Sequence, residues 1–116
     1  MKNLIQIFAA VMLMAFNYGS QDIKGQWNGA LSIQGAEYRI VFHVTKGEKR
    51  YDATMDSPDQ NASGIPVTAV SFDYPNVKFE ISNIGMIYEG TLSDNLITGL
   101  WKQAGRQFPL VLTLLK

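Results

Sequence analysis

The stretch that decides the fold is residues 86–102, which read MIYEGTLSDNLITGLWK. In its first half, successive residues alternate between two faces, one of which includes Tyr88 and the other Glu89. In its second half, Ile97 and Trp101 lie on the same face. Alternation with a period of two is typical of a strand that has one buried face. A Ser-Asp-Asn turn separates the halves, and a link this short joins antiparallel neighbours. The stretch therefore predicts a β-hairpin.

The same alternation continues outward in both directions, and Gly, Asn, Asp and Pro separate the alternating runs. The eight predicted strands are residues 26–33, 37–45, 50–55, 67–72, 77–82, 86–92, 96–102 and 107–115. Closing such a meander on its apolar face would remove the exposed sheet edges. We therefore predict an all-β fold, an eight-stranded antiparallel up-and-down barrel of calycin type. The alternative is a β-sandwich, and only the irregular residues 56–66 are long enough for its crossing connection.

The first twenty residues differ from the rest of the chain. Lys2 is followed by an apolar run at residues 4–16, and small polar residues come next. This order predicts a secretory signal peptide over residues 1–20, because the run is shorter than the roughly 20 residues that span a bilayer. An uncleaved amphipathic helix is the alternative. We expect residues 21–116 to form one exported domain, periplasmic or extracellular, with no membrane span after signal cleavage.

The composition excludes several classes of protein. The chain has no cysteine, so we expect no disulfide, no thiolate metal site and no lipid anchor of the bacterial lipoprotein type. Lys and Arg number 10, Asp and Glu number 10, and the formal net charge is zero. A nucleic-acid-binding domain normally concentrates basic residues on one face, and no run in this sequence does so. We therefore expect no nucleic-acid partner.

Several longer stretches share a likeness to one family. They are residues 22–31 (DIKGQWNGAL), 55–60 (MDSPDQ), 64–67 (GIPV), 88–92 (YEGTL), 97–101 (ITGLW) and 108–110 (FPL). Together they resemble the small N-terminal β-domain of exported α/β-hydrolases from Bacteroidetes-type bacteria, over residues 22–115. In that family a serine-hydrolase domain follows, whereas this sequence stops at Lys116 and contains no Gly-x-Ser-x-Gly nucleophile elbow. The resemblance implies a non-catalytic accessory domain, with an exported serine hydrolase as its protein partner.

A weaker likeness lies in two Gly-x-Trp motifs, Gly25 with Trp27 and Gly99 with Trp101. The first is similar to the opening of lipocalin and avidin-type barrels. A glycine in such a barrel lets the backbone bend or approach a neighbour, and the tryptophan fills the space that the glycine leaves.

The most specific part of the hydrolase resemblance is a loop that contains Asp56, Ser57, Pro58, Asp59 and Gln60. Functional residues tend to lie on irregular loops that a regular scaffold carries. We therefore predict that these five residues form the partner-binding loop of an accessory or interaction module.

Five aromatic residues, Trp27, Tyr38, Phe42, Tyr88 and Trp101, are candidates for a ligand site. If the barrel interior is open, they would line a pocket, and the protein would be a small carrier of a hydrophobic ligand. If the interior is filled, as it often is in eight-stranded barrels, the same residues would be core. The small size of the domain favours the filled interior.

No catalytic residues are predicted. His43 is the single histidine, and a nucleophile such as Ser57 or Ser63 would have to fold beside it to form a hydrolytic site. The alternation places His43 on the polar face of its strand. Glu80 and Glu89 lie on adjacent strands, but both point outward, which is typical of a solvated exterior rather than of a glycosidase cleft.

No metal site and no cofactor are predicted either. Asp52, Asp56, Asp59 and Asn61 could offer oxygen atoms to Ca²⁺, yet their spacing matches no calcium-binding loop. Asp and Asn are also ordinary turn residues that hydrogen-bond their own backbone, and we interpret these four in that way.

Overall fold

The computed structural model describes residues 22–116, and the predicted signal peptide at residues 1–20 lies outside this range. Nine strands form within the described residues. They are β1 (Gly25–Ile33), β2 (Ala36–Lys46), β3 (Tyr51–Ser57), β4 (Ala62–Pro66), β5 (Ala69–Asp73), β6 (Asn76–Ile81), β7 (Met86–Ser93), β8 (Leu96–Gln103) and β9 (Arg106–Leu115). Two 3₁₀ turns, Pro58–Gln60 and Ser82–Ile84, follow β3 and β6. Between residues 22 and 116 no helix is long and apolar enough to cross a membrane.

The nine strands belong to one antiparallel sheet with the order β4-β3-β2-β1-β9-β8-β7-β6-β5. Each strand pairs with the next strand in the chain, except β4 with β5, and β1 also pairs with β9, where Trp27 lies opposite Leu114. The predicted all-β, antiparallel, up-and-down arrangement is confirmed, and the single sheet differs from a β-sandwich. The sheet curls into a half-barrel whose edges are β4 and β5. In the part of the chain that the structure describes, no ladder of hydrogen bonds pairs these two edges.

The ninth strand is the main departure from the predicted secondary structure. The second half of residues 56–66, predicted as irregular, forms β4 and pairs with β3 through Ile65 opposite Met55. Asn61 has a left-handed φ of 56°, which reverses the chain after the 3₁₀ turn. Pro66 closes β4 at the edge of the sheet, where the missing N–H of a proline leaves no partner unsatisfied. Proline therefore limits β4 to an edge but does not prevent the strand.

The middle of the half-barrel is filled by aromatic side chains. The rings of Phe42 and Phe79 lie 4.5 Å apart, and the ring of Tyr88 lies 6.1 Å from that of Phe79. All three side chains are fully buried. A Cβ atom at Gly99 would overlap the carbonyl oxygen of Glu89, so β7 and β8 approach each other at a point that only glycine allows. The close approach tightens the curl of the sheet around this core.

One end of the half-barrel is covered by residues 22–24. Ile23 is fully buried, and its carbonyl oxygen accepts a hydrogen bond from the indole Nε1 of Trp27 at 2.9 Å. The carboxylate of Asp22 accepts one from the hydroxyl of Tyr51 at 3.0 Å. Tyr51 in turn packs edge-on against Phe72, with 6.0 Å between ring centroids. These contacts close one end of the interior.

Candidate functional site: an apolar pocket at the open end

The other end of the half-barrel is open and holds a pocket of about 460 Å³. Its apolar wall comes from β1, β2, β3, β4 and β8, and from the turn before β7. The apolar and aromatic lining residues are Leu31, Ile33, Tyr38, Ile40, Met55, Ala62, Ile65, Ile84 and Trp101. The strand alternation that builds the core also points these side chains inward, so the pocket is an unfilled continuation of the core.

Three neutral polar side chains, Ser57, Gln60 and Gln103, complete the lining. The hydroxyl of Ser57 is buried and donates a hydrogen bond to the Oε1 of Gln60 at 2.5 Å. The side chain of Gln103 accepts one from the indole Nε1 of Trp101 at 3.0 Å and donates another to the carbonyl oxygen of Ile84 at 3.0 Å. Gln103 therefore fixes the orientation of the Trp101 ring and ties the turn before β7 to β8.

The loop that the sequence singled out forms one side of the pocket rim. At its start, the carboxylate of Asp56 accepts a hydrogen bond from the backbone N–H of Gly64 at 2.8 Å and lies 2.8 Å from the Nε2 of His43. The backbone hydrogen bond from Gly64 and the contact with His43 hold the pKa of Asp56 below its ordinary value. These contacts fasten both ends of the segment between β3 and β4.

Further along the same loop, Asp59 is joined to β2. Its carboxylate accepts hydrogen bonds from the guanidinium of Arg39, the closest at 2.9 Å, and from the backbone N–H of Arg39 at 2.7 Å. The side-chain and backbone hydrogen bonds from Arg39 lower the pKa of Asp59. Both partners are exposed, so this ion pair contributes little stability by itself. Together with Asp56 it holds the loop in one conformation.

The structure separates the five predicted ligand-site aromatics into two groups. Trp27, Phe42 and Tyr88 are fully buried in the filled middle of the half-barrel. The hydroxyl of Tyr88 donates to the carbonyl oxygen of Leu110 at 2.8 Å, and burial raises the pKa of this phenol. Tyr38 and Trp101 instead line the open-end pocket.

Two sites that the sequence treated separately therefore meet. Ser57 and Gln60 of the predicted partner-binding loop line the same pocket as Tyr38 and Trp101 of the predicted ligand site. Pro58 and Asp59 lie on the exposed outer side of this loop. The loop and the open-end pocket form one continuous surface.

Sequence reasoning missed Gln103 and Ile84 as pocket residues. The seventh predicted strand ends at residue 102, whereas β8 includes Gln103, which lies two residues beyond Trp101. Extending the alternation by one step would have placed its side chain on the inner face. Ile84 gave no such signal, because it lies in a 3₁₀ turn where strand alternation does not apply.

His43 and Ser57 do not form a hydrolytic pair. His43 lies on the outer face of β2 against Asp56, with 41% of its side chain exposed, whereas the hydroxyl of Ser57 faces the inner pocket. The sheet thus separates the two side chains. Outward-pointing Glu89 pairs with Lys102 at 2.6 Å, and the hydrogen bond from Lys102 lowers the pKa of that carboxyl.

The four residues considered for Ca²⁺ lie in ordinary structural surroundings. The carboxylates of Asp56 and Asp59 contact residues of the same chain, as described above. Asp52 pairs with Arg50 at 3.4 Å, and Asn61 caps the C-terminal end of the 3₁₀ turn. Within residues 22–116 no three acidic or histidine side chains converge in a way that could hold a metal ion.

A second concavity of about 560 Å³ crosses the outer face of β5–β8, near Gly90 and Gly99, where β7 and β8 approach each other closely. It is wide and open to solvent, and polar side chains such as Lys78 and Glu89 line it. Since ligand sites are mostly enclosed and apolar with few polar groups, the open-end pocket is the better candidate.

Comparison of the chain with protein-family models, with curated proteins and with solved structures finds no match.

Proposed function

We propose that this protein is an exported, non-catalytic binding module whose open-end pocket takes a small, largely apolar ligand. The observation that carries the proposal is the pocket itself, about 460 Å³ of mostly apolar surface with three neutral polar side chains. Ligand sites for small molecules typically measure about 300–1,000 Å³ and have this composition.

The rim supports the same function because it is already ordered. Asp56 and Asp59 hold the loop through hydrogen bonds to Gly64 and Arg39, and Gln103 holds the Trp101 ring. A site that is fixed before binding loses little conformational entropy when the ligand enters. The filled core behind the pocket limits the ligand to the open end.

The test is binding of N-phenyl-1-naphthylamine, a neutral apolar dye whose fluorescence rises in apolar surroundings. We expect saturable binding to the wild-type protein. Ala62→Phe places a ring in the pocket, because Ala62 is a lining residue. Filling the space should weaken dye binding by about tenfold or more, equivalent to roughly 1.4 kcal/mol.

Ala69→Phe is the matched control, because Ala69 is an exposed residue of β5 that does not line the pocket. This variant should bind the dye as the wild type does. Urea unfolding of both variants shows whether each still folds. If a folded Ala62→Phe protein binds the dye with wild-type affinity, the pocket is not the binding site.

A second candidate function is docking of an exported serine hydrolase onto the outer side of the loop. The supporting observation is that Pro58 and Asp59 are exposed on a segment that four hydrogen bonds from Arg39 and one from Gly64 hold in place. The test is capture of a purified hydrolase of this kind on immobilised protein, read by labelling with a fluorophosphonate.

Pro58→Glu changes the size and charge of the loop tip, and we expect it to abolish capture. Pro109→Glu makes the same change at an exposed position of β9 and should leave capture intact. Equal capture by both variants would contradict docking through the loop.

A further inference from the structure

None of the described residues that line the pocket is charged. On the loop that forms its rim, the carboxylate of Asp59 is neutralised by Arg39 at 2.9 Å, and the carboxylate of Asp56 lies 2.8 Å from the Nε2 of His43. Arg106, at the same end of the sheet, lies over the ring of Phe108 at 5.3 Å and is not a lining residue. A charged group that entered the pocket would lose its water without gaining a counter-ion.

The hydrogen-bonding groups of the pocket divide into those already used and those available. Both functional ends of the Gln103 amide are used, by Trp101 and Ile84. The Oε1 of Gln60 is used by Ser57. Among residues 22–116, no protein acceptor takes a hydrogen bond from the amide nitrogen of Gln60 or from the hydroxyl of Tyr38. The pocket thus offers neutral donors to a ligand.

From these two observations we infer the class of ligand: an apolar chain or ring system with an uncharged, hydrogen-bond-accepting head group, such as an amide, ester or alcohol. This inference rests on the proposed function. A neutral oxygen atom can accept from Gln60 and Tyr38 at a small desolvation cost. A carboxylate could accept from the same donors but would lose its hydration without gaining a counter-ion, and an ammonium group would lose its hydration and find neither a counter-ion nor a use for the two donors.

The experiment compares three compounds that share an apolar chain of about ten carbons, a size suited to a small-molecule pocket. Decanamide, decanoate and decylamine each compete with N-phenyl-1-naphthylamine for the wild-type protein at neutral pH. We expect decanamide to bind about tenfold or more tightly than either charged compound. Equal or tighter binding of decanoate or decylamine would overturn the neutral head group and leave the proposed function standing.

Failure of the dye itself to bind would contradict the proposed function, whereas a bound dye that none of the three compounds displaces would overturn only the inferred ligand class, so the two failures are distinguishable. A variant gives a second, independent arm. Gln60→Glu keeps an oxygen acceptor for the Ser57 hydroxyl but replaces the donor with a negative charge. In this variant decylamine should gain at least about fivefold relative to decanamide, because the ammonium group now has a counter-ion.

Gln107→Glu is the matched control, since Gln107 is exposed on β9 and lies outside the pocket lining. It adds the same charge to the protein and should leave the order of affinities unchanged. If a folded Gln60→Glu protein also keeps the wild-type order, Gln60 does not face the ligand head group and the inference is wrong.

Discussion

The two ends of the half-barrel are built from the same sheet, yet one is covered and the other is open. At the covered end, Ile23 from the segment before β1 is fully buried, and Asp22 is joined to Tyr51. At the open end, the 3₁₀ turn that carries Ile84 lies beside the pocket, and 42% of that residue is exposed. Alternation builds the wall at both ends, but only a segment that folds across an end can cover it. Within residues 22–116 the open-end pocket lies at the end that no such segment covers.

The largest expected effect comes from comparing two aromatic residues on the same face of β2. Phe42→Ala should lower the free energy of unfolding by about 3–5 kcal/mol, because it empties a closely packed site beside Phe79. Tyr38→Ala, four residues earlier, should cost less than about 1 kcal/mol, because the ring already borders an open pocket. Urea denaturation measures both. Similar costs would show that the open end is as tightly packed as the middle.

A smaller effect is expected at the two ends themselves. Ile23→Ala removes the buried cover and should cost about 2 kcal/mol, the lower part of the usual range, because its short segment can relax. Ile84→Ala removes an exposed rim residue and should change stability by less than about 0.5 kcal/mol. Thermal or urea unfolding compares them. An Ile23→Ala protein as stable as the wild type would mean that residues 22–24 do not cover the interior.

The Ile23→Ala variant also sharpens the comparison through binding. If the two ends differ only in that Ile23 covers one of them, removing its side chain should expose apolar surface to which N-phenyl-1-naphthylamine can bind. A second, weaker binding phase is the expected result. Unaltered single-site binding would show that the covered end has no space of its own.

The smallest effect concerns the rim and depends on pH. The backbone hydrogen bond from Gly64 and the contact with His43 place the pKa of Asp56 below its ordinary value of 3.8. Its contribution to stability is therefore complete above that value and is lost as the pH falls through the lower, folded-state pKa. Solvent screening keeps this contribution below about 1 kcal/mol.

Asp56→Asn provides the measurement, because it keeps the shape of the side chain and removes its charge. The variant should be less stable than the wild type near about pH 7, and the difference should disappear near about pH 2. A difference that is the same at both pH values would show that the charge of Asp56 contributes nothing.

Much of the fold follows from local pattern, and much of the site does not. The alternation around Trp27 and Tyr88 indicated correctly that both side chains face the interior. It could not show that Trp101 would border a cavity while Tyr88, on the paired strand, is enclosed, because enclosure depends on which side chains arrive from other strands. The sequence failed to predict β4 for a related reason. Its local turn residues indicated a loop, whereas the strand forms because it pairs with β3.

The loop shows the same limit. The hydrolase resemblance singled out residues 56–60, but nothing in the sequence showed that Asp59 would bind Arg39, 20 residues earlier in the chain. That contact also affects the charge of the rim, since it neutralises the carboxylate of Asp59. The inference about a neutral ligand therefore needed the folded chain.

By itself, the sequence determined eight of the nine strands, their antiparallel order and the faces that they bury, because a period of two and short links constrain neighbouring residues directly. Only the tertiary structure decided that β4 would form against β3, that β4 and β5 would remain edges, and that one end would stay open. The physical reason is that these features depend on contacts between separate segments of the chain, whereas alternation relates only residues that are close in the sequence. The open-end pocket lies where those contacts leave space.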